Sequence, residues 1–269
     1  MVDVFGGSGT LKNRRGPRGP IGPRGLPGSI RDFCQWFPNT AISNLQKYDE
    51  NGSFFIQDPS QDLKMSGKEV RTWISRSVKG WNLVADMASS DLVKLSKRYA
   101  LGFKKNRYVS DDMVVLETFP GRSAFICVTF KVFGDDEQVL MSNYEEDSSN
   151  NDYCEIRITP TDIILHLHSD DEIIQHSCKD WTTLFVECNS DSTTTYFKYD
   201  VNGVTGSFSR PCSEMMTESV ALGSRYDNTH FLHGQVSALE FYQINQPSEI
   251  PVELKDIVIR NQKGTGYEC

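Results

Sequence analysis

The chain has 269 residues, a formal net charge of −8 and a hydrophobic fraction of 38%. This length and composition exclude global disorder and allow one large domain or two small ones. No run of 18 apolar residues is present, so the sequence predicts no membrane-spanning helix, and the acidic balance argues against nucleic acid as the main partner.

Residues 1–15 are predicted to form a disordered basic arm. The first 31 residues contain six basic residues and one acidic residue, a net charge of +5, which leaves −13 for the remainder. One interpretation is contact with an anionic polymer or a membrane surface. The simpler interpretation, which we favour, is solvated charge that keeps a short rod in solution.

Residues 16–30 consist of five consecutive triplets that begin with glycine, at Gly16, Gly19, Gly22, Gly25 and Gly28. A strict period of three beside proline is typical of the collagen triple helix, where only glycine fits at the crowded axis. The repeat therefore predicts a homotrimer. At about 3.1 Å per residue the rod reaches roughly 45 Å, too short to hold three chains together alone, and a Pro/Gly-rich linker is the alternative.

Residues 31–97 are predicted to form a neck or linker with short helices. The aromatic-rich segment 31–50 is placed either to bring three chains into register or to pack on the following domain. Val70, Trp73, Ile74 and Val78 recur near helical spacing, and residues 91–95 suggest a second helical turn.

From Tyr99 onward the apolar residues alternate with period two, in segments bounded by turn residues. Asn202-Gly203 between two such segments is a strong hairpin signal. Short strands without intervening helices predict an all-β, antiparallel β-sandwich over residues 98–260, followed by a tail at 261–269. The predicted strands are 124–132, 154–159, 162–167, 183–188, 194–201, 220–223 and 235–242.

Several segments within residues 98–247 together resemble the laminin-G and pentraxin families, whose domains are concanavalin A-like jelly rolls. The segment from His176 to Trp181 is similar to the pentraxin signature His-x-Cys-x-Ser/Thr-Trp, although Asp180 departs from it. The resemblance implies the same β-sandwich that the alternation predicts. The other segments that carry it are 99–103 with 106–109, 199–203, and 221–224 with 231–242.

The resemblance also implies a disulfide and a calcium site. In pentraxins the signature cysteine pairs with one on an earlier strand, which implies a bond between Cys127 and Cys178; two buried, reduced cysteines are the alternative. Pentraxins bind calcium through two loops, and Asn151, Asp152 and Asp227 lie at matching places. The ordinary interpretation of these three residues is that they form turns.

No catalytic motif in the sequence supports an enzymatic activity, so the chain is predicted not to be an enzyme. It has no Glu-x-Asp-x-Glu triplet of the kind that glycosidases of this fold use, no Gly-x-Ser-x-Gly elbow and no phosphate loop. His166 and His168 alternate on a predicted strand and, with His176, could bind a metal. A partly solvated strand face is the favoured interpretation of these histidines.

We expect a non-enzymatic adhesion or recognition protein, in which a trimeric collagen-like stalk presents three lectin-like heads to glycan, proteoglycan or protein ligands. One alternative is a structural or attachment component of an extracellular matrix or virus particle, and a second is a glycan hydrolase. An extracellular location is expected, although residues 1–15 have no apolar stretch of signal-peptide length. A fragment, another export route, or a role inside a cell or virus particle each fits that observation.

Overall fold

A computed structural model of the chain describes its central region and a short part of its C-terminal region. The predicted basic arm, collagen-like repeat and most of the aromatic neck lie outside the described residues. No helix within the described residues is long and apolar enough to cross a membrane. The described residues are 49–56, 58–76, 81–95, 99–111, 123–142, 153–168, 170–191, 193–211, 219–225, 227–244, 255–256 and 258–259.

Strands dominate the described residues, and one short helix, α1 at Pro59–Asp62, lies among them. The strands are β1 Asp49–Phe55, β2 Leu63–Ser66, β3 Glu69–Trp73, β4 Leu83–Ala85, β5 Ser90–Lys94, β6 Tyr99–Lys104, β7 Tyr108–Ser110, β8 Ser123–Val132, β9 Gln138–Ser142, β10 Tyr153–Ile158, β11 Asp162–His168, β12 Asp170–Gln175, β13 Thr182–Ser190, β14 Thr194–Val201, β15 Val204–Pro211, β16 Ala221–Leu222 and β17 His233–Ile244.

The strands form two antiparallel layers. The first layer runs β15–β14–β13–β8–β17, and β17 pairs with β1 over one part of its length and with β6 over another, with β5 beyond β6. The second layer runs β2–β3–β4–β7–β16–β9–β10–β11–β12. The pairing of β3 with β5 joins the layers. The chain therefore contains the antiparallel β-sandwich that the sequence predicts.

Alternation along β8 shows why this sequence forms a strand with two distinct faces. Val128 and Phe130 point into the core between the layers, whereas Cys127 and Thr129 point to the opposite face of the sheet. Burial of a large apolar side chain contributes about 1.5–3 kcal/mol, so the inward face fixes the register of β8. The outward face is buried as well, which the sequence pattern does not predict.

A stack of three aromatic rings lies on this outward face of the first layer. The ring centroids of Phe125 and Phe185 are 5.1 Å apart, and those of Phe125 and Tyr242 are 4.4 Å apart. The Nζ atom of Lys255 lies 5.5 Å from the Phe185 centroid, and Val258 is fully buried. The C-terminal segment therefore reaches a sheet face that would otherwise be solvated.

The predicted hairpin at Asn202-Gly203 is confirmed. Val201 pairs with Val204 across the turn, and Asn202 and Gly203 have φ angles of 51° and 96°. Two consecutive positive φ angles belong to a turn whose twist matches that of the flanking strands, and asparagine and glycine tolerate them best. This turn is determined locally, which is why the sequence identifies it.

The two helical segments predicted before residue 98 are wrong within the described residues, where each contains a strand; Val78 lies outside those residues. Val70 and Trp73 lie on β3, and residues 90–94 form β5, which pairs with β6. In strands this short with both faces partly covered, apolar residues occur at spacings that resemble a helical turn. Since β1 also pairs with β17, the predicted boundary at residue 98 lies inside one hydrogen-bonded sheet.

The predicted disulfide between Cys127 and Cys178 is absent, and both residues are thiols. The Val132 N–H donates to the Cys178 carbonyl at 2.9 Å, so Cys178 lies beside the end of β8. Cys127 is five positions back along β8, roughly 16 Å away at about 3.3 Å per residue. A disulfide needs Cα atoms within about 7 Å. Burial also raises the pKa of the Cys178 thiol to about 12, which disfavours the reactive thiolate.

Candidate functional site

The calcium ligands implied by the sequence resemblance are not brought together in the described residues. Asn151 and Asp152 lie outside them. Asp227 is exposed in the loop between β16 and β17, and its Oδ1 accepts hydrogen bonds from the Thr229 N–H at 3.1 Å and the Thr229 hydroxyl at 2.5 Å. Its carboxylate therefore closes a turn, as the ordinary interpretation holds, and calcium binding stays a prediction.

Two of the three histidines proposed as metal ligands, His166 and His176, lie near opposite ends of β12, and the side chain of the third, His168, lies outside the described part of the structure. The Nδ1 atom of His166 lies 2.6 Å from Oδ1 of Asp171, across the β11–β12 pair. His176 follows the other end of β12, where its Nε2 lies 3.2 Å from the Thr182 hydroxyl. Among the described residues, no three or more His, Cys, Asp or Glu side chains are placed to bind one metal ion.

An open cleft of about 310 Å³ lies where β5, β6 and β17 meet the turn after β8. We call it the cleft. It is on the outer face of the first layer, because Leu101 and Phe103 on either side of its floor residue point into the core. The side chains and backbone that give it its chemistry belong to Asp91, Gly102, Lys104, Phe133, His233 and Gln235.

Gly102 forms the floor of the cleft. Asp91 on β5 and Gln235 on β17 are its direct neighbours on the two flanking strands, so their backbones are about 10 Å apart at twice the strand spacing. A Cβ atom at Gly102 would lie 3.3 Å from Val93 Cγ2 and 3.5 Å from the Asp91 carbonyl oxygen. Val93 and the Asp91 backbone thus lie close to Gly102, and a side chain at position 102 would crowd them. We call the opening above Gly102, between Asp91 on β5 and Gln235 on β17, the notch.

The polar side chains around the notch are available to a ligand. Within the described residues, Asp91, Lys104 and Gln235 form no side-chain hydrogen bond or ion pair. Asn106 differs, because its Oδ1 accepts from the Lys104 N–H at 2.7 Å and its Nδ2 donates to the Ser89 carbonyl at 2.7 Å. Asn106 therefore shapes the wall, while the other three present unused donors and acceptors.

An exposed aromatic ring stands at one end of the cleft. Phe133 is 48% exposed, and its ring meets His233 edge-on with a centroid distance of 5.8 Å. The Phe133 N–H donates to the His233 carbonyl at 2.8 Å, and the His233 N–H donates to Gln138 Oε1 at 2.7 Å. These two hydrogen bonds hold the backbone that carries both rings at the rim, and Phe133 presents apolar surface to solvent beside the polar notch.

A second group of polar side chains lies on the outer face of the second layer, and we call it the arginine cluster. Glu155, His166 and Asp171 face one another directly across β10, β11 and β12. Arg225 contacts the two carboxylate oxygens of Glu155 at 2.6 and 2.8 Å, and Arg157 contacts Asp171 at 2.5 Å. The buried Glu155 carboxylate is thus held in a bidentate ion pair.

The pairing within the arginine cluster stabilises the charged form of Asp171. Desolvation by itself would raise the pKa of this carboxyl, but hydrogen bonds from His166 and Arg157 outweigh it, and the pKa lies below its usual value of 3.8. Unlike the polar side chains of the cleft, the carboxylates of this cluster are occupied by partners in their own chain.

Sequence reasoning did not identify the cleft. Its residues come from four separate segments, and the one local signal is the glycine at position 102 between two core residues of β6. A glycine within a strand often marks a close approach or an opening in the surface. That signal names a position but gives no indication that Asp91, Phe133 and Gln235 surround it.

No protein-family model and no curated protein matches the chain. Solved structures share its fold. An arabinofuranosidase complexed with arabinofuranosyl-alpha-1,2-xylobiose is 13% identical, with a TM-score of 0.52, and the match covers 74% of this chain and 51% of that one. Domain 4 of AbnA, a GH43 extracellular arabinanase from Geobacillus stearothermophilus in complex with arabinotriose, is 13% identical, with a TM-score of 0.50 and coverage of 78% and 98%.

A third structure with this fold is the binding domain of botulinum neurotoxin serotype D, at 12% identity and a TM-score of 0.50. It is covered over 52% of its length, so the chain spans about half of both the neurotoxin domain and the arabinofuranosidase. At these identities the likeness concerns the fold alone. The chain shares with these proteins an antiparallel β-sandwich.

Proposed function

We propose that the β-sandwich is a glycan-binding head and that the cleft is its binding site. The observation that carries this proposal is the notch over Gly102, where unpaired polar side chains surround an opening with the exposed Phe133 at its rim. Binding sites for small molecules combine apolar surface with a few placed polar groups. A sugar offers matching chemistry, because its ring has an apolar C–H face and a periphery of hydroxyl groups.

The residues of the cleft have distinct roles in this proposal. The Asp91 carboxylate accepts hydrogen bonds from sugar hydroxyls, and the Gln235 amide both donates and accepts on the opposite side of the notch. Phe133 packs against the C–H face of a sugar ring, which removes apolar surface of both partners from water. Gly102 allows the ring edge to approach the strand backbone between them.

The shared fold supports a carbohydrate ligand without identifying it. Two of the solved structures that share the sandwich were determined with arabinose-containing oligosaccharides, and one of them is a single domain covered over 98% of its length. A fold hosts many functions, so the proposal depends on the chemistry of the cleft.

We propose binding rather than hydrolysis. Glycosidases of the usual kind place two carboxyl groups on either side of the bond that they cleave. Among the described residues that line the cleft, Asp91 is the one that carries a carboxylate. In the arginine cluster, Arg225 contacts both carboxylate oxygens of Glu155, so these oxygens are engaged within the chain. Both observations support a non-enzymatic role.

We further propose that the triplets from Gly16 to Gly28 join three heads into a trimer. A multivalent protein gains avidity because binding of one head raises the effective concentration of the others. Light scattering on the intact chain should give three times the mass of 30.4 kDa. A monomeric mass would contradict the trimer while leaving the cleft proposal untouched.

A glycan array probed with the intact chain and with Gly102→Val tests the binding site. The valine side chain fills the notch, and we expect an affinity loss of at least about tenfold, or 1.4 kcal/mol. Thr205→Val is a matched control, because Thr205 is an exposed strand residue on β15, far along the sheet from the cleft. No binding by the intact chain, or equal binding by Gly102→Val, would refute the proposal.

A further inference from the structure

The polar groups of the cleft are arranged by charge along the strands. Asp91, Gly102 and Gln235 form one row across β5, β6 and β17, and Lys104 and His233 face each other in the next row on the same side of the sheet. The two rows are about 7 Å apart, because two residues of a strand separate them. The cleft therefore has an anionic end and a cationic end within the dimensions of a substituted sugar.

The cationic end contrasts with the charge of the chain as a whole. The chain carries a net charge of −8, yet within the described residues the Lys104 ammonium group has no carboxylate partner. Lys131 on β8, directly across from Gln235, is not among the residues that line the cleft, so the positive charge at this end comes from Lys104.

We infer that the cleft binds a glycan in which a sugar carries an anionic group, either a carboxylate or a sulfate ester. This inference rests on the proposed glycan-binding function and specifies its ligand class. The anionic group lies against Lys104 and His233, and the Lys104 ammonium group donates a charge-assisted hydrogen bond to it. Asp91 repels the anion and accepts from hydroxyl groups, so the two ends of the cleft orient the sugar in one direction.

Paired glycans test this inference directly. One set of pairs compares uronate-containing oligosaccharides with the same oligosaccharides after carboxyl reduction, and a second set compares sulfated oligosaccharides with their desulfated forms. In one of the two sets we expect the acidic member of each pair to bind at least about tenfold more tightly than the neutral member. A preference in the first set identifies the anionic group as a carboxylate, and a preference in the second set identifies it as a sulfate ester. Equal binding to both members in both sets would overturn the inference and leave the glycan-binding proposal standing.

Lys104→Gln identifies the group responsible for the preference. We expect this variant to bind the acidic member about tenfold more weakly and the neutral member as the unchanged chain does. Lys105→Gln is the matched control, because Lys105 is the next residue, is also exposed, and does not line the cleft. An equal loss in both variants would indicate general charge attraction and would refute a specific anion site; absence of binding to every glycan would refute the proposed function itself.

Discussion

The cleft and the arginine cluster lie on the outer faces of the two layers, and they use similar residue types in opposite ways. In the arginine cluster each carboxylate has a cationic partner close by, such as Arg225 on Glu155 at 2.6 Å. In the cleft, Asp91 and Lys104 have no such partner among the described residues. Charged groups that are satisfied within the chain stabilise the fold, whereas unsatisfied groups beside an opening are available to a ligand.

This comparison separates two kinds of polar constellation that look alike in a sequence. Glu155 and Asp171 lie close in space and could be mistaken for a catalytic pair. Their contacts with Arg225, His166 and Arg157 show instead that they join β10, β12 and the loop after β16. Removal of a group from the arginine cluster should therefore affect stability, and removal of a group from the cleft should affect binding.

Arg225→Leu should have the largest effect on stability. The variant leaves the buried Glu155 carboxylate without its bidentate partner, and loss of one member of a buried ion pair costs about 3 kcal/mol. Arg157, whose Nε is 3.9 Å from Glu155, compensates only in part. Urea denaturation measures the resulting loss in the free energy of unfolding.

Arg71→Leu is the control for that experiment, because Arg71 forms an ion pair of 2.9 Å with Glu69 in which both side chains are about half exposed. Exposed pairs contribute about 0–1 kcal/mol, so this variant should be close to the unchanged chain. Similar losses of unfolding free energy in Arg225→Leu and Arg71→Leu would contradict a stabilising role that depends on the burial of Glu155.

Phe133→Ala should weaken glycan binding by about tenfold while it changes the free energy of unfolding by less than about 1 kcal/mol. The ring is 48% exposed, so its removal leaves no enclosed cavity. Ile173→Ala is a suitable control, because Ile173 is 60% exposed on β12, in the other layer. Glycan binding is measured by calorimetry. An unchanged affinity in Phe133→Ala would show that this ring is not part of the binding site.

Acid should produce the smallest effect, through Asp171. Because the folded-state pKa of this carboxyl is lowered from 3.8, its charged form stabilises the fold above pH 4, and this stabilisation is lost as the pH falls through the folded-state pKa. The stability difference between the unchanged chain and Asp171→Asn should therefore be present at pH 6 and should shrink toward pH 3. A difference that stays constant over this range would contradict the role of charge.

Local patterns were sufficient for much of the fold. The alternation in β8 and β14 and the Asn202-Gly203 turn are properties of neighbouring residues, and the structure places strands and a hairpin there. The sequence failed where a pattern was short. Val70 and Trp73 on β3 have a spacing that fits a helical turn or a covered strand equally well, and pairing with β2, β4 and β5 decides between them.

The sequence by itself determined that this chain contains an antiparallel β-sandwich and, in its glycine triplets, a segment with collagen-like period. Only the tertiary structure decided which residues share a site. Cys127 and Cys178 are held apart because Cys178 lies at the far end of β8, while Asp91, Gly102 and Gln235 are brought together because β5, β6 and β17 are adjacent. The physical reason is that strand pairing joins residues far apart in the chain, and no local pattern encodes that register.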